Sequence, residues 1–170
     1  MYKILSVVLL ALMFASPAFA IPQIWGDKNT LKGIKTVCVK ANVMGDAAQA
    51  SIYEVTSSSL KSRVEGELKE AGIRVAPFDE CKRMPGMPYL QVTAMVWSPP
   101  GLETAFLVAV DFDFLQDIVL ARDNTSKALV PTWGSGTSAN ITKKYLWKSV
   151  MVQVDSQVKE FTEDYFAVNR

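Results

Sequence analysis

The sequence predicts an α+β two-layer sandwich with elements in the order β-α-β-β-β-β-α, a mixed, mostly antiparallel sheet and two helices on one face. Three observations predict it. Two segments, around 60–71 and 146–165, place apolar residues three or four positions apart. Five segments are strand-like, most alternating apolar and polar residues. The first helical segment lies between two strands. That unit is a crossover, so those two strands should run parallel.

Taken in order, residues 21–31 read as an extended lead-in punctuated by Pro22 and Gly26, with Trp25 as an anchor to the core. Lys35 to Val43 is the first strand, with Val37, Val39, Ala41 and Val43 on one face. Residues 45–50 are small and read as a loop. The first helix, residues 58–71, repeats Leu60, Val64, Leu68 and Ala71. Thr56 to Ser59 offer N-caps, and Gly72 sits where a C′ glycine belongs. Lys61–Glu65 and Glu65–Lys69 are i,i+4 pairs on its wet face.

Ile73 to Phe78 is a short second strand, and residues 79–88 are a loop with two prolines and a glycine. Tyr89 to Trp97 is a strand burying Leu90, Val92, Ala94 and Val96. Residues 98–101 (Ser-Pro-Pro-Gly) are a turn. Thr104 to Leu120 is a long strand, bent or bulged near Leu115, with Phe106, Val108, Val110, Phe112 and Phe114 on one face. Residues 122–126 connect it to a strand over 127–136 that carries Trp133. The closing helix, residues 143–166, presents Leu146, Val150, Val154, Val158, Phe161 and Tyr165. In this arrangement Leu60, Val64, Leu68, Val150, Val154, Val158 and Phe161 are buried between helices and sheet.

Residues 1–20 read as a cleaved signal peptide: Lys3, an apolar stretch from Ile4 to Phe14, then the small-x-small ending Ala18-Phe19-Ala20. The stretch is shorter than the roughly 20 residues a membrane span needs. The expected location is the periplasm or the exterior, with a single domain over 21–170 and no integral membrane segment once the signal is removed. No lipobox cysteine stands at the cleavage point.

The chain has 170 residues, 49% hydrophobic and 21% charged, and a formal net charge of +1 that falls to zero when Lys3 leaves with the signal. A neutral chain without a basic block has no electrostatic footprint for nucleic acid. The chain has no histidine. That excludes Ser-His-Asp and Cys-His catalysis and His-ligated metal sites. No cofactor is implied. The two cysteines, Cys38 and Cys81, pair in an oxidising compartment or stand as two separate buried thiols; both readings remain open at this point.

Four motifs carry possible chemistry. Ser58-Ser-Leu-Lys61 matches S-x-x-K, but the partner motifs S-D-N and K-T-G are missing, so an N-terminal cap with a solvated lysine is the simpler reading. Asp111 and Asp113, i,i+2 on a strand, project from one face and form either a wet face or a weak metal or acid/base pair. Trp133-Gly-Ser-Gly-Thr137 lacks the G-K-[ST] ending of a phosphate loop, so its glycines read as a bulge or a close backbone approach. Lys143 and Lys144 stand against the dipole at a helix start and, with Trp133, are the expected contact patch for a partner. Asn124-Thr-Ser and Asn140-Ile-Thr are glycosylation sequons that matter only in a eukaryotic secretory pathway.

Three stretches carry a resemblance: Leu31-Lys-Gly-Ile-Lys-Thr-Val37 entering the first strand, Leu68-Lys-Glu-Ala-Gly-Ile-Arg-Val75 ending the helix, and a closing helix that terminates in an aromatic and Val168-Asn169. Over nearly all of the mature chain the sequence resembles small exported bacterial domains of unknown function, similar to the TolB amino-terminal-like α/β domains of envelope proteins and lipoproteins. The resemblance implies no catalytic residue.

The leading expectation is a non-enzymatic periplasmic binding or envelope-assembly module. Its partner would be an envelope protein or another periplasmic component, contacted through loops and by β-augmentation at a sheet edge. The alternative is a carboxylate-based hydrolase or cation-binding protein using Asp111 and Asp113, which requires those side chains to line a pocket with raised pKa values. A further alternative is a carrier of an apolar ligand held against Phe106, Phe112 and Phe114.

Overall fold

In the computed structural model, residues 23–83, 87–101, 104–120 and 123–170 are described. The signal peptide expected over 1–20 lies outside them. The strands are β1 (Gln23–Gly26), β2 (Val37–Gly45), β3 (Val75–Ala76), β4 (Tyr89–Trp97), β5 (Ala105–Leu120) and β6 (Asp123–Thr142). The helices are α1 (Ala47–Ile52), α2 (Ser57–Glu70), α3 (Phe78–Arg83) and α4 (Leu146–Asn169). One six-stranded mixed sheet forms in the order β1-β6-β5-β4-β2-β3. β2 runs parallel to both β3 and β4, and the remaining pairs are antiparallel. This is the α+β sandwich the sequence predicts.

The helices form where the caps place them. Thr56 and Ser59 make a reciprocal capping box at the start of α2. Gly72, at φ +87°, lets the chain turn left-handed after the helix, and Ile73 N–H closes back on Leu68 C=O at 2.9 Å. Lys61–Glu65 and Lys69–Glu65 pair as expected, at 3.7 and 3.9 Å. α2 and α4 bury Leu60, Val64, Leu68, Val150, Val154, Val158 and Phe161 against Leu90, Val92, Ala94, Val96, Phe106, Val108, Val110, Phe112 and Phe114 of the sheet. The rings of Phe114, Trp133 and Tyr165 all lie within about 6 Å of Phe161, centroid to centroid.

Six expectations are corrected. Residues 47–52 are a short helix rather than a loop, and so are residues 78–83. The strand expected over 73–78 shrinks to Val75–Ala76, because Pro77 has no N–H for a ladder and α3 begins at once. β6 runs on past residue 136 to Thr142, since Thr137, Ser138, Ala139 and Asn140 continue the ladder with β5. The closing helix then starts later, at Leu146, after a 3-10 turn over 143–145. The lead-in contains a strand, β1, and Trp25 does not anchor to the core: it is 37% exposed and lies on the face without α2 and α4. The irregularity expected near Leu115 is present as a register shift between Phe114 and Leu115, where Phe114 pairs with Trp133 but Leu115 pairs with Pro131.

Cys38 and Cys81 form a disulfide, with Cα atoms 6.4 Å apart. The short β3 is what allows it. Ala76 pairs with Cys38 itself, so the chain enters α3 beside the start of β2 and never travels to its far end. Cys38 points away from Val37 and Val39, and with Ala76, Cys81, Phe78, Met87 and Tyr89 it builds a second small core on the opposite side of the sheet.

The two ends of the chain that carry the resemblance meet. Gly33 N–H donates to Asn169 Oδ1 at 2.7 Å, and Asn169 Nδ2 donates to Leu31 C=O at 2.8 Å. Tyr165 Oη donates to Ile34 C=O at 2.7 Å.

Candidate functional site

Side chains alternate across a sheet, so burying one set against α2 and α4 presents the other set on the opposite face. There the register aligns Lys40, Gln91, Asp113 and Gly134 in one row, and Asn42, Thr93, Asp111 and Gly136 in the next. Met44, Met95, Ala109 and Ser138 follow, then Trp97, Leu107 and Asn140. Polar rows thus adjoin an apolar end at which Met44, Trp97 and Leu107 are exposed.

β1 places Trp25 on this face. Its backbone pairs with Gly134, and its indole lies over Gly134 and Gly136. A Cβ on Gly134 would run into the indole nitrogen, and one on Gly136 would stand 2.5 Å from Asp111 Oδ1 and 3.0 Å from the ring. The two glycines are therefore the bed of the tryptophan, the close approach expected of this stretch.

Burial pushes the Asp113 carboxyl above the usual carboxylate range, and the polar edge of the neighbouring Trp25 indole opposes the shift. Burial first, then the charge of Asp113, push Asp111 up as well. Both carboxylates are half-buried beside an aromatic ring. The fully wet face is thus corrected to a half-covered one, because β1 brings Trp25 across from the far end of the sequence. Among the described residues, no group of three or more Cys, Asp or Glu is placed to hold a metal ion.

The expected contact patch of Trp133, Lys143 and Lys144 is dispersed. Trp133 is fully buried, and its indole N–H donates to Asp164 at 2.9 Å, so it is withdrawn as a surface contact. Lys143 Nζ lies 5.3 Å from the centroid of the Phe106 ring, and Lys144 Nζ lies 5.4 Å from that of Tyr145. Lys144 is exposed beside the exposed Tyr145 and Trp147. Phe106, Phe112 and Phe114 are fully buried in the helix-side core, where Tyr53 meets Phe106 and Phe161 meets Phe114. A shallow cavity of about 280 Å³ lies elsewhere, among Gly33, Ile34, Lys35, Thr36, Met87 and Pro88. Ser58 of the S-x-x-K match is exposed, and Lys61 is paired with Glu65.

The sheet has incomplete edges. β3 pairs with Val37 and Cys38 alone, so 39–45 of β2 have no strand on their outer side among the described residues. At the other border β1 pairs with Trp133 to Gly136 alone, leaving 137–142 of β6 without an outer strand among the described residues. Sequence reasoning missed β1 and the place of Trp25 on the open face. The signal that could have found them is the glycine pair at i,i+2 inside a strand, which leaves room for one large side chain.

No protein-family model and no curated protein matches this sequence. Solved structures do share its fold. The PelC dodecamer from Paraburkholderia phytofirmans is similar with a TM-score of 0.53 at 14% identity, covering 85% of this chain and 98% of that one. A leucine-to-methionine variant of that dodecamer is similar with a TM-score of 0.50 at 15% identity, covering 84% and 98%. A minor lipoprotein from Acinetobacter baumannii has a TM-score of 0.40 at 13% identity, covering 80% and 93%. At these identities the likeness to PelC establishes the fold.

Proposed function

We propose that this chain is an exported, non-enzymatic module of the bacterial envelope that assembles with other proteins through the incomplete edges of its sheet. The observation that carries the reading is the fold shared over 98% of the length of PelC, a protein solved as a dodecamer. Three further features support it. The amino-terminal sequence has the form of a secretory signal. The chain lacks histidine, so the common histidine-based catalytic sets are excluded. Backbone groups along 39–45 and 137–142 are available for strand addition, a mode that needs no distinctive side chain. Among the described residues no helix is long and apolar enough to cross a membrane. The TolB-like resemblance fits an envelope module and assigns no residue to it.

Cell fractionation of the full chain, followed by light scattering on the mature protein and by crosslinking in the native compartment, tests the reading. Recovery in the periplasm or medium with a captured envelope protein, or with a multiple of the monomer mass, supports it. A cytoplasmic chain, or a strictly monomeric protein that captures nothing, refutes it.

The raised pKa values of Asp111 and Asp113 favour a second reading, a cation-binding or carboxylate-based site beside Trp25. Calorimetry with calcium on the wild type and Asp111→Asn separates the two: heat of binding that the substitution abolishes supports the second reading.

A further inference from the structure

β5 and β6 run on together past the rest of the sheet. β4 pairs with β5 only as far as Leu115, and β1 pairs with β6 over 133–136 alone. Past the register shift at Phe114/Leu115, Gln116–Val130, Asp117–Leu129, Ile118–Ala128 and Val119–Lys127 pair only with each other among the described residues. They form a two-stranded arm of four ladder pairs, roughly 14 Å long at about 3.4 Å a residue. Gln116 fixes its base: Nε2 donates to Thr30 C=O at 3.1 Å, and Oε1 accepts from the Thr132 hydroxyl at 2.9 Å. Alternation carries Gln116, Ile118, Ala128 and Val130 onto the side of α2 and α4, and Asp117, Val119, Lys127 and Leu129 onto the open side. Ile118, Val119 and Leu129 are exposed, so both sides of the arm show apolar side chains to water. A two-stranded hairpin standing alone is marginally stable, and an uncovered apolar edge invites pairing. We propose that the arm docks on a second copy of this chain, adding the outer side of 116–119 to the open edge at 137–142. The proposal rests on the reading of the chain as an assembling module and names its partner.

The chain itself carries both halves of such a contact. The outer side of 116–119 faces the border where β4 and β2 lie, and the outer side of 137–142 faces the border where β1 lies. Two copies in the same orientation bring these opposite borders together with their helix sides matched. β5 and β6 are antiparallel within one chain, so the new pair is antiparallel as well. Pairing with the other open edge, 39–45, would run parallel, the slightly weaker ladder. β1 fills the border of β6 between 127–130 and 137–142, which blocks two copies from pairing β6 to β6. Side chains match across the proposed contact. Ile118 comes to the side of the half-buried Ala139 and the buried Ile141, and Asp117 and Val119 come to the side of the exposed Ser138 and Asn140. The arm cannot reach this edge in its own chain, because residues 128 and 139 stand eleven apart in one strand, roughly 35 Å. Each copy offers an arm at one end and receives one at the other. The contact is heterologous, so it closes into a ring or extends into a filament.

Analytical ultracentrifugation of the mature protein over a range of concentrations, together with thiol crosslinking, tests the proposal. The wild type should sediment as a multiple of the chain mass. Ile118→Asp should sediment as a single chain with unchanged circular dichroism, since Ile118 belongs to no buried cluster. Val119→Cys and Asn140→Cys chains, mixed and treated with a short bismaleimide, should give a covalent pair that neither variant gives alone. Val119→Cys mixed with Lys40→Cys should give none. A wild type that stays a single chain at every concentration, a multiple that survives Ile118→Asp, or a crosslink to position 40 in place of 140 overturns the proposal. A single-chain protein that still captures an envelope protein in its native compartment overturns the arm contact alone and leaves the envelope-module reading standing.

Discussion

The Trp133 indole N–H donates to the Asp164 carboxylate at 2.9 Å across the interface of β6 and α4. It is the first rung of a ladder. Ser135 Oγ donates to Glu160 at 2.6 Å, and Thr137 Oγ1 meets Gln153 Oε1 at 2.6 Å. Gln157, fully buried, donates from Nε2 to Val110 C=O at 2.7 Å and to Thr137 Oγ1 at 3.3 Å. Alternate residues of a strand advance by roughly 6.8 Å and one helical turn by about 5.4 Å, so the rungs stay nearly in step.

Trp133→Phe keeps most of the ring and deletes the N–H. It should cost about 1–3 kcal/mol, because the half-buried Asp164 loses a charge-assisted partner. Trp133→Ala should cost about 3–5 kcal/mol through the cavity left beside Phe161. Urea denaturation of both variants checks the two values; equal losses would show that the N–H bond to Asp164 matters and the ring bulk does not.

Gly136→Val should displace Trp25, since a side chain there meets both the indole and Asp111. The expected outcome is a red shift of Trp25 emission, faster exchange of the β1 amides and a loss of about 1–3 kcal/mol. An unchanged spectrum, read in a background with the other three tryptophans replaced, would mean that the indole is held elsewhere.

Removing the Cys38–Cys81 bridge with the double substitution to serine should cost about 4 kcal/mol in the chain-entropy argument, given a sequence separation of 43. Mass spectrometry of the non-reduced mature protein checks the bond first, by the absence of free thiols.

Asp111→Asn should stabilise the protein at neutral pH and do little in acid. The Asp111 carboxyl is raised by burial and by Asp113, so its penalty grows as pH rises from the ordinary aspartate range to its folded-state pKa and stays constant above that. The difference in Tm between variant and wild type should therefore grow from roughly pH 3 toward 7. A difference independent of pH would mean that the Asp111 carboxyl is not raised in the folded protein.

The sequence by itself determined the element types and the buried faces. Periodicity alone names which side of each segment is apolar. Water enforces that choice locally, which is why α2, β4 and the phenylalanine face of β5 all stand where the pattern puts them. Gly72 and the Thr56–Ser59 box were legible for the same reason, because a cap is a local hydrogen-bonding problem. The tertiary structure decided everything that depends on distant neighbours. Trp133 carries the same side chain whether it faces solvent or Phe161, and only the docking of α4 settles that it is core. Trp25 stands beside Asp113 because β1 pairs across a separation of about 110 residues with Gly134. The cysteine pairing turned on the length of β3, which Pro77 and α3 cut to two residues. The Arg63–Asp155 ion pair joins residues 92 apart in sequence that no periodicity connects. Local patterns record what each segment prefers toward water, whereas partners and edges exist only once the segments have been packed together.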